Sequence, residues 1–291
     1  MPSKETGRIR AAATRATHLR QLHRGPNPLV LPNAWDVMSA LIVAAEGAAA
    51  VATTSGGVSW SRGRPDGQHL EAEEAVDAVD AITKAVDLPV TADIEGGYGR
   101  APQVLASTVE NVVLAGAAGI NLEDAPGDGA ALLEPRTQAE RIAAARAAAQ
   151  ACGVDLVINA RTDVFLAGGS SAPLDEVLAR SEAYAQAGAD CLFVPGLLDL
   201  DAIAELVRRS PLPVNIMAGP GAPPVAELAE AGVRRISVGT ALAQTAYSSV
   251  LRSARELLGA GTYSSLEAEL SYAALNGLAQ PAHPRRQEDH A

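Results

Sequence analysis

Eight short apolar runs recur along the chain with helical segments between them, and this alternation limits the fold more than any other feature. The runs are PLVLPN (28–33), AAVATTS (49–55), LPVTADIE (88–95), GINLED (119–124), DLVINART (155–162), DCLFVPG (190–196), LPVNIMA (212–218) and RRISVG (234–239). Between them lie Ala-rich segments of helical periodicity, such as AEEAVDAVDAITKAV and LDEVLARSEAYAQAGA. Several close on Ala-Gly, a normal helix stop before the next strand. Strands that are short, apolar throughout and separated by helices imply a parallel sheet buried on both faces. Eight strand–helix units predict a (β/α)8 barrel, with a doubly wound open sheet as the alternative. Residues 1–24 read as a preceding helix and 25–275 as a single barrel domain whose last segment, 241–275, forms one or two terminal helices. The tail, 276–291, reads as disordered.

With 291 residues, 48% hydrophobic and only 3% aromatic, the core is built from Ala, Val, Leu and Ile. The net charge of −11 and the lack of a dense Lys/Arg patch argue against nucleic acid or an anionic membrane as partner. The two cysteines, Cys152 and Cys191, form no CxxC, and Cys191 is most simply a core residue. The five histidines form no ligand-like cluster. No signal-peptide core and no membrane-length apolar run occur, so a cytoplasmic location is expected.

In a (β/α)8 barrel the chemistry sits at the C-terminal strand ends. The polar residues there are Asn33, Trp35 and Asp36; Ser55, Gly56 and Gly57; Asp93 and Glu95; Asn121, Glu123 and Asp124; Asn159, Arg161 and Asp163; and Asn215. The sixth strand gives only Pro195 and Gly196. Side chains alternate along a strand, so Asp93 and Glu95 point the same way, as do Asn121 and Glu123, and Asn159 and Arg161. Acids converging on one mouth repel each other unless a cation is present. Oxygen-only ligands select Mg²⁺, with Mn²⁺ as the alternative, over zinc. Mg²⁺ keeps waters and takes one or two carboxylates, so some of these acids would act through water. Asp36, Asp124 and Asp163 can each be read as helix caps instead. Arg161 can neutralise the acids or clamp a substrate carboxylate. Ser55-Gly56-Gly57 can be a tight turn or a backbone anion site.

The order SGG, DIEGGYG, GINLED, INARTD resembles the isocitrate lyase/phosphoenolpyruvate mutase superfamily, from about Leu29 to about Gly239. The resemblance implies a (β/α)8 barrel that exchanges its last helix in a homodimer or homotetramer. It also implies Mg²⁺, a small 2-oxo or 2-hydroxy carboxylate substrate and an enolate intermediate. By the same resemblance, Asp93 is the acid nearest the metal, and Glu95 and Glu123 hold metal-bound water. The Ser55-Gly56-Gly57 backbone cradles a carboxylate. Arg161, Asn215 and Asn121 contact substrate, and Asp66 in RPDG is a further active-site acid. Asp66, Glu123 and Arg161 form the expected catalytic set. One departure narrows the chemistry. Lyases of the superfamily carry a K-[KR]-C-G-H loop after the fourth strand, whereas APGDGAALLEPRTQ (125–138) has no Lys, Cys or His. Decarboxylation of an oxaloacetate-type substrate needs no such loop acid, and it is the expected C–C cleavage. The alternatives are a lyase acting on a branched malate or methylisocitrate-like diacid, a non-catalytic carboxylate binder and a phosphonate P–C enzyme. Glu123, Asp66 or Tyr98 could supply the acid or base.

Overall fold

The computed structural model describes residues 4–127, 131–169 and 172–280. Its strands are β1 (Leu29–Leu31), β2 (Asn33–Ala34), β3 (Val51–Thr53), β4 (Val90–Asp93), β5 (Gly119–Glu123), β6 (Val157–Arg161), β7 (Cys191–Phe193), β8 (Val214–Met217) and β9 (Arg235–Ser237). All pair in parallel, in the order β1-β9-β8-β7-β6-β5-β4-β3-β2. The expected first strand is split at Pro32, which has no N–H to give to a ladder. The half before it pairs with β9 and the half after it with β3, so the two ends of the sheet are one continuous run and the barrel closes there. Asn33 stitches this seam. Its Nδ2 donates to Thr53 O at 2.9 Å, and its Oδ1 accepts from Val238 N at 2.9 Å.

The intervening helices form where the apolar periodicity places them. The helix Ala72–Ala85 starts on a capping box between Glu71 and Glu74, has Lys84 in its last turn, and buries Ala75, Ala78, Val79 and Ile82. The helices Pro102–Leu114 and Pro135–Ala151 begin with proline in the first turn, where its missing N–H is harmless. Two short helices, Ser55–Ser61 and Val164–Gly168, follow β3 and β6 almost directly. The N-terminal helix Lys4–Leu22 closes the bottom of the barrel: Ala12, Ala16 and Leu19 are buried, and Leu19 packs so close to Gly119 that a Cβ there would lie 2.9 Å from it. Beyond β9 run the helix Ala241–Gly259, a 3-10 turn at Ser264–Leu266 and the helix Tyr272–Leu278. This last helix extends into the segment expected to be a disordered tail. Residues 281–291 lie outside the described residues. No described helix is long and apolar enough to cross a membrane.

His23 follows the N-terminal helix and is buried beneath the barrel, with its Nδ1 2.7 Å from Leu19 O. Burial first, and then repulsion from Arg235 and Arg20 against the pull of Asp190, lowers its pKa to about 4. The unfolded chain therefore takes up this proton more readily than the folded one. The stability is present above pH ~6.5 and is lost as pH falls toward 4, by about 3 kcal/mol. Urea melts of wild type and His23→Gln at pH 7 and pH 4.5 measure this. The wild type should lose more stability across the interval than the variant, and equal losses would remove His23 from the account.

Candidate active site

The C-terminal strand ends enclose an inner cavity of about 160 Å³ whose walls include Ser55, Asp66, Asp93, Asn121, Arg161 and Thr240. A wider cleft of about 610 Å³ opens beside it, with Glu123, Tyr98 and Gln68 in its wall. Asp93 ends β4. Its Oδ2 accepts from Ser55 N and its Oδ1 from Glu95 N, each at 3.3 Å. Glu95 holds a left-handed backbone (φ 50°) and is buried; Gln68 N donates to its Oε2, and its Oε1 has no partner among the described residues. Glu123 ends β5 and meets Arg161 Nη1 at 2.7 Å. Arg161 also donates from Nε and Nη2 to the two Asp163 oxygens, at 2.6 and 2.8 Å, and its guanidinium lies 5.9 Å from the centre of the Phe193 ring. Asp66 lies on the exposed rim.

The Ser55-Gly56-Gly57 segment is the first turn of the helix Ser55–Ser61, not an open turn. Both glycines are required by close approach. A Cβ on Gly56 would lie 2.7 Å from Thr240 Cγ2 and 2.9 Å from Asp66 Oδ2, and one on Gly57 would lie 2.7 Å from Trp35 Cβ. Asp36 caps the helix Val37–Ala45 through a capping box with Ser39, as its alternative reading held. Asp163 precedes the helix Val164–Gly168 without a side-chain cap bond and instead grips Arg161. Asp124 caps nothing. It is fully buried and accepts from Asp163 N (3.0 Å), Arg180 Nη1 (3.0 Å) and Tyr184 Oη (2.8 Å).

Among the described residues, no three His, Cys, Asp or Glu side chains form a group that could hold one ion, and the roles of Glu95 and Glu123 through metal-bound water stay expectations. Arg161 captures Glu123, and Gln68 N holds Glu95 through Oε2. Asn215 is fully buried and absent from the cavity wall; its Oδ1 lies 3.4 Å from Ser237 Oγ, and β8 offers the cavity Met217 instead. Asn121 does line the cavity.

The electrostatics still suit a hard cation. Burial raises the pKa of Asp93, with Asp66 adding to the rise. Burial and repulsion from Asp93 and Asp66 push Glu95 up to about 7. Burial also raises Glu123, against the pull of Arg161. Tyr98 is raised by burial and by the same acids. Buried, mutually repelling oxygen donors, one of them an unpartnered Glu95 oxygen, fit Mg²⁺ held by Asp93, with Glu95 and Glu123 acting through water.

One residue of this region escaped the sequence reading. Arg235 is fully buried in the barrel lumen and donates from Nη2 to Asn121 Oδ1 at 3.0 Å. The doublet Arg234-Arg235 at the start of an apolar strand was its only signal, since alternation turns Arg235 and Ser237 the same way.

A family model described as phosphoenolpyruvate phosphomutase matches residues 19–258. An uncharacterized protein of Mycobacterium tuberculosis (strain ATCC 25618 / H37Rv) is 40% identical over 219 residues, 75% of this chain and 80% of its own length. The crystal structure of a Burkholderia cenocepacia J2315 protein, described at the level of lyase/mutase, superposes with a TM-score of 0.87 at 38% identity, covering 93% of this chain and 98% of that one. The structure of oxaloacetate acetylhydrolase in complex with the product oxalate superposes with a TM-score of 0.81 at 26% identity, covering 90% and 93%.

Proposed function

The chain belongs to the phosphoenolpyruvate mutase/isocitrate lyase superfamily, a group of lyases and mutases, and we propose that it is an Mg²⁺-dependent enzyme that decarboxylates an oxaloacetate-type 2-oxo diacid. The observation that carries this reading is the inner cavity. It is smaller than the roughly 300–1,000 Å³ of pockets for drug-sized ligands. Among the described residues of its wall, Arg161 is the one cation, and no Lys, His or Cys is present. Such a site can hold and polarise a small carboxylate, and its described wall offers no Lys, His or Cys as the proton donor of a lyase step. The structural likeness to oxaloacetate acetylhydrolase supports the substrate class.

A bound Mg²⁺ would stabilise the charge that develops on the substrate's C2 oxygen when the C3–C4 bond breaks. This chain's residues do the rest. Arg161, already held by Glu123 and Asp163, pairs with the C1 carboxylate. Of the Ser55-Gly56-Gly57 cradle, Ser55 N already donates to Asp93 Oδ2, so the Gly56 and Gly57 N–H groups would be the ones to meet the same carboxylate. Asp93 would hold the cation, with Glu95 acting through water. As CO₂ leaves, the electron pair of the C3–C4 bond becomes the C2–C3 double bond and the C2–O π pair moves to the C2 oxygen, giving the enolate. A proton from solvent, or from a carboxyl such as Glu123 or Asp66, then goes to C3 and gives pyruvate.

Purified protein, with Mg²⁺ and then with EDTA, should convert oxaloacetate to pyruvate and CO₂ faster than Mg²⁺ alone, and only in the presence of metal. Glu95→Gln should lower this rate and weaken Mg²⁺ binding while the fold holds. Two-fragment cleavage of a branched malate or methylisocitrate, read by NMR on the same panel, would replace decarboxylation with a lyase reaction. Turnover of phosphonopyruvate would replace it with P–C chemistry. Binding of oxalate without turnover of any substrate would leave a carboxylate-binding protein.

Self-association is part of the same reading. The helix Ala241–Gly259 follows the last strand but buries only Ala243, and Val250, Leu258, Tyr263 and Tyr272 stand exposed. On the barrel, Val30 of β1 is exposed as well. Exchange of the terminal helices within a homodimer or homotetramer would cover these surfaces. Light scattering should give two or four copies for wild type and a smaller particle for Val250→Glu/Leu258→Glu; a monomeric wild type would end the idea.

A further inference from the structure

We propose that Arg235 is a positioning residue of the site. It spans the barrel lumen, turns the Asn121 amide so that its Nδ2 faces the cavity as a donor, and sets a permanent positive charge beneath Asp93. The inference rests on reading the cavity as a carboxylate site and adds a residue that the family resemblance does not supply.

The lumen of a (β/α)8 barrel is normally filled by branched apolar side chains. Here one of the largest fully buried side chains is an arginine. It springs from β9 and reaches Asn121 on β5, which is several strands away in either direction around the sheet. Its Nη2 has that partner, while Nε and Nη1 have none among the described residues. A buried cation so thinly partnered is expensive, and replacing one with an apolar side chain is often neutral for stability. A plug alone would therefore be apolar, and the charge calls for a task.

Asn121 shows what that task is. Arginine only donates, so the atom of Asn121 that faces it must be Oδ1. Asn159 Nδ2 donates to the same oxygen at 2.8 Å, which fills both lone pairs. Asn121 Nδ2 is thereby left for the cavity that Asn121 lines, as a fixed donor for a carboxylate or carbonyl oxygen. Without Arg235 the amide could rotate and present an acceptor to an anion. The charge has a second effect. Arg235 attracts Asp93, and although burial lowers its pKa to about 10, it remains a cation at neutral pH. It thus favours a bound anion and opposes a bound cation, so the two ligands respond to its removal with opposite signs. General damage to the fold would weaken both.

Titration calorimetry on the full chain separates these cases, using Mg²⁺ alone and then oxalate in saturating Mg²⁺. Arg235→Met should bind oxalate about tenfold more weakly and Mg²⁺ about threefold more tightly. Asn121→Ala should lose oxalate affinity by a similar factor with Mg²⁺ affinity unchanged, and the double variant should bind oxalate at most about threefold more weakly than Asn121→Ala, since only the charge of Arg235 is then left to lose. Arg235→Lys keeps the charge and should keep the wild-type Mg²⁺ affinity; it also serves if the Met variant does not fold. Unchanged oxalate affinity in Arg235→Met, parallel loss of both ligands, or additive losses in the double variant would each overturn the proposal. A wild type that binds Mg²⁺ but no oxalate would instead defeat the carboxylate reading. The proposal is then decided without ligand, by the NMR signal of the Asn121 side-chain amide, assigned through its loss in Asn121→Asp. That signal must move in Arg235→Met, and an unmoved signal overturns the proposal.

Discussion

Arg161→Ala is expected to lower kcat/KM for oxaloacetate by about 10³-fold at saturating Mg²⁺, chiefly through KM. One guanidinium does three things here. It meets Glu123 at 2.7 Å, it grips both oxygens of Asp163, and it supplies the only positive charge among the described residues of the inner cavity wall. Truncation removes the proposed partner of the substrate carboxylate and leaves Glu123 and Asp163 facing each other without a counter-charge. Carboxylates in that position repel an anionic substrate, so the loss exceeds that of a single hydrogen bond. Arg161→Lys should recover little, because an ammonium cannot reproduce the fork that engages Asp163 through Nε and Nη2. Steady-state kinetics alongside a thermal melt make the check. A KM within threefold of wild type, with only the melting temperature reduced, would make Arg161 structural.

The barrel was legible because its signal is repeated: short apolar runs recur between helical segments, several of which close on Ala-Gly, and parallel pairing follows from that pattern. The seam was not. Pro32 looks like one more strand residue until β9 and β3 compete for the two halves of the run. The mouth acids were legible because charge at the end of a buried strand is rare. Their pairing was not, since sequence spacing gives the direction of a side chain and not its partner. Asp124 and Glu123 are neighbours in sequence, yet alternation sends Glu123 to Arg161 in the mouth and Asp124 outward to Arg180 and Tyr184 under a helix. Asn215 failed for a related reason. It points into the lumen as expected, but one layer too deep to touch the cavity. Arg235 shares that interior with it and was passed over because the strand-end reading stopped at the mouth.

The buried node at Asp124 is where stability and site geometry meet, and Asp124→Ala is expected to destabilise the fold by about 3–5 kcal/mol. The carboxylate is fully buried and satisfies three donors from two parts of the chain: Asp163 N beyond β6, and Arg180 Nη1 and Tyr184 Oη on the helix Leu174–Gln186. Arg180 also donates to Leu133 O at 2.7 Å, which ties the end of the segment after β5 to the same helix. Removing the acid leaves the nearly buried Arg180 with the half-exposed Glu176 as its one remaining counter-charge among the described residues and takes the acceptor from the buried Tyr184 phenol, and that lost compensation dominates the loss. At roughly 2–4 °C per kcal/mol for a chain of this class, the melting temperature should fall by about 10 °C. Replacing both charges with apolar groups tests the cause. Asp124→Leu/Arg180→Met leaves no buried charge unpaired and should melt above Asp124→Ala despite carrying one more substitution. A double variant that melts lower than the single one would show that the network's hydrogen bonds, rather than the weakened pairing of Arg180, account for the loss. Either stability result leaves a kinetic consequence to be read. The Asp163 backbone that positions Arg161's partner is held by Asp124 Oδ1, so Asp124→Leu/Arg180→Met, although folded, should still raise KM in the same direction as Arg161→Ala.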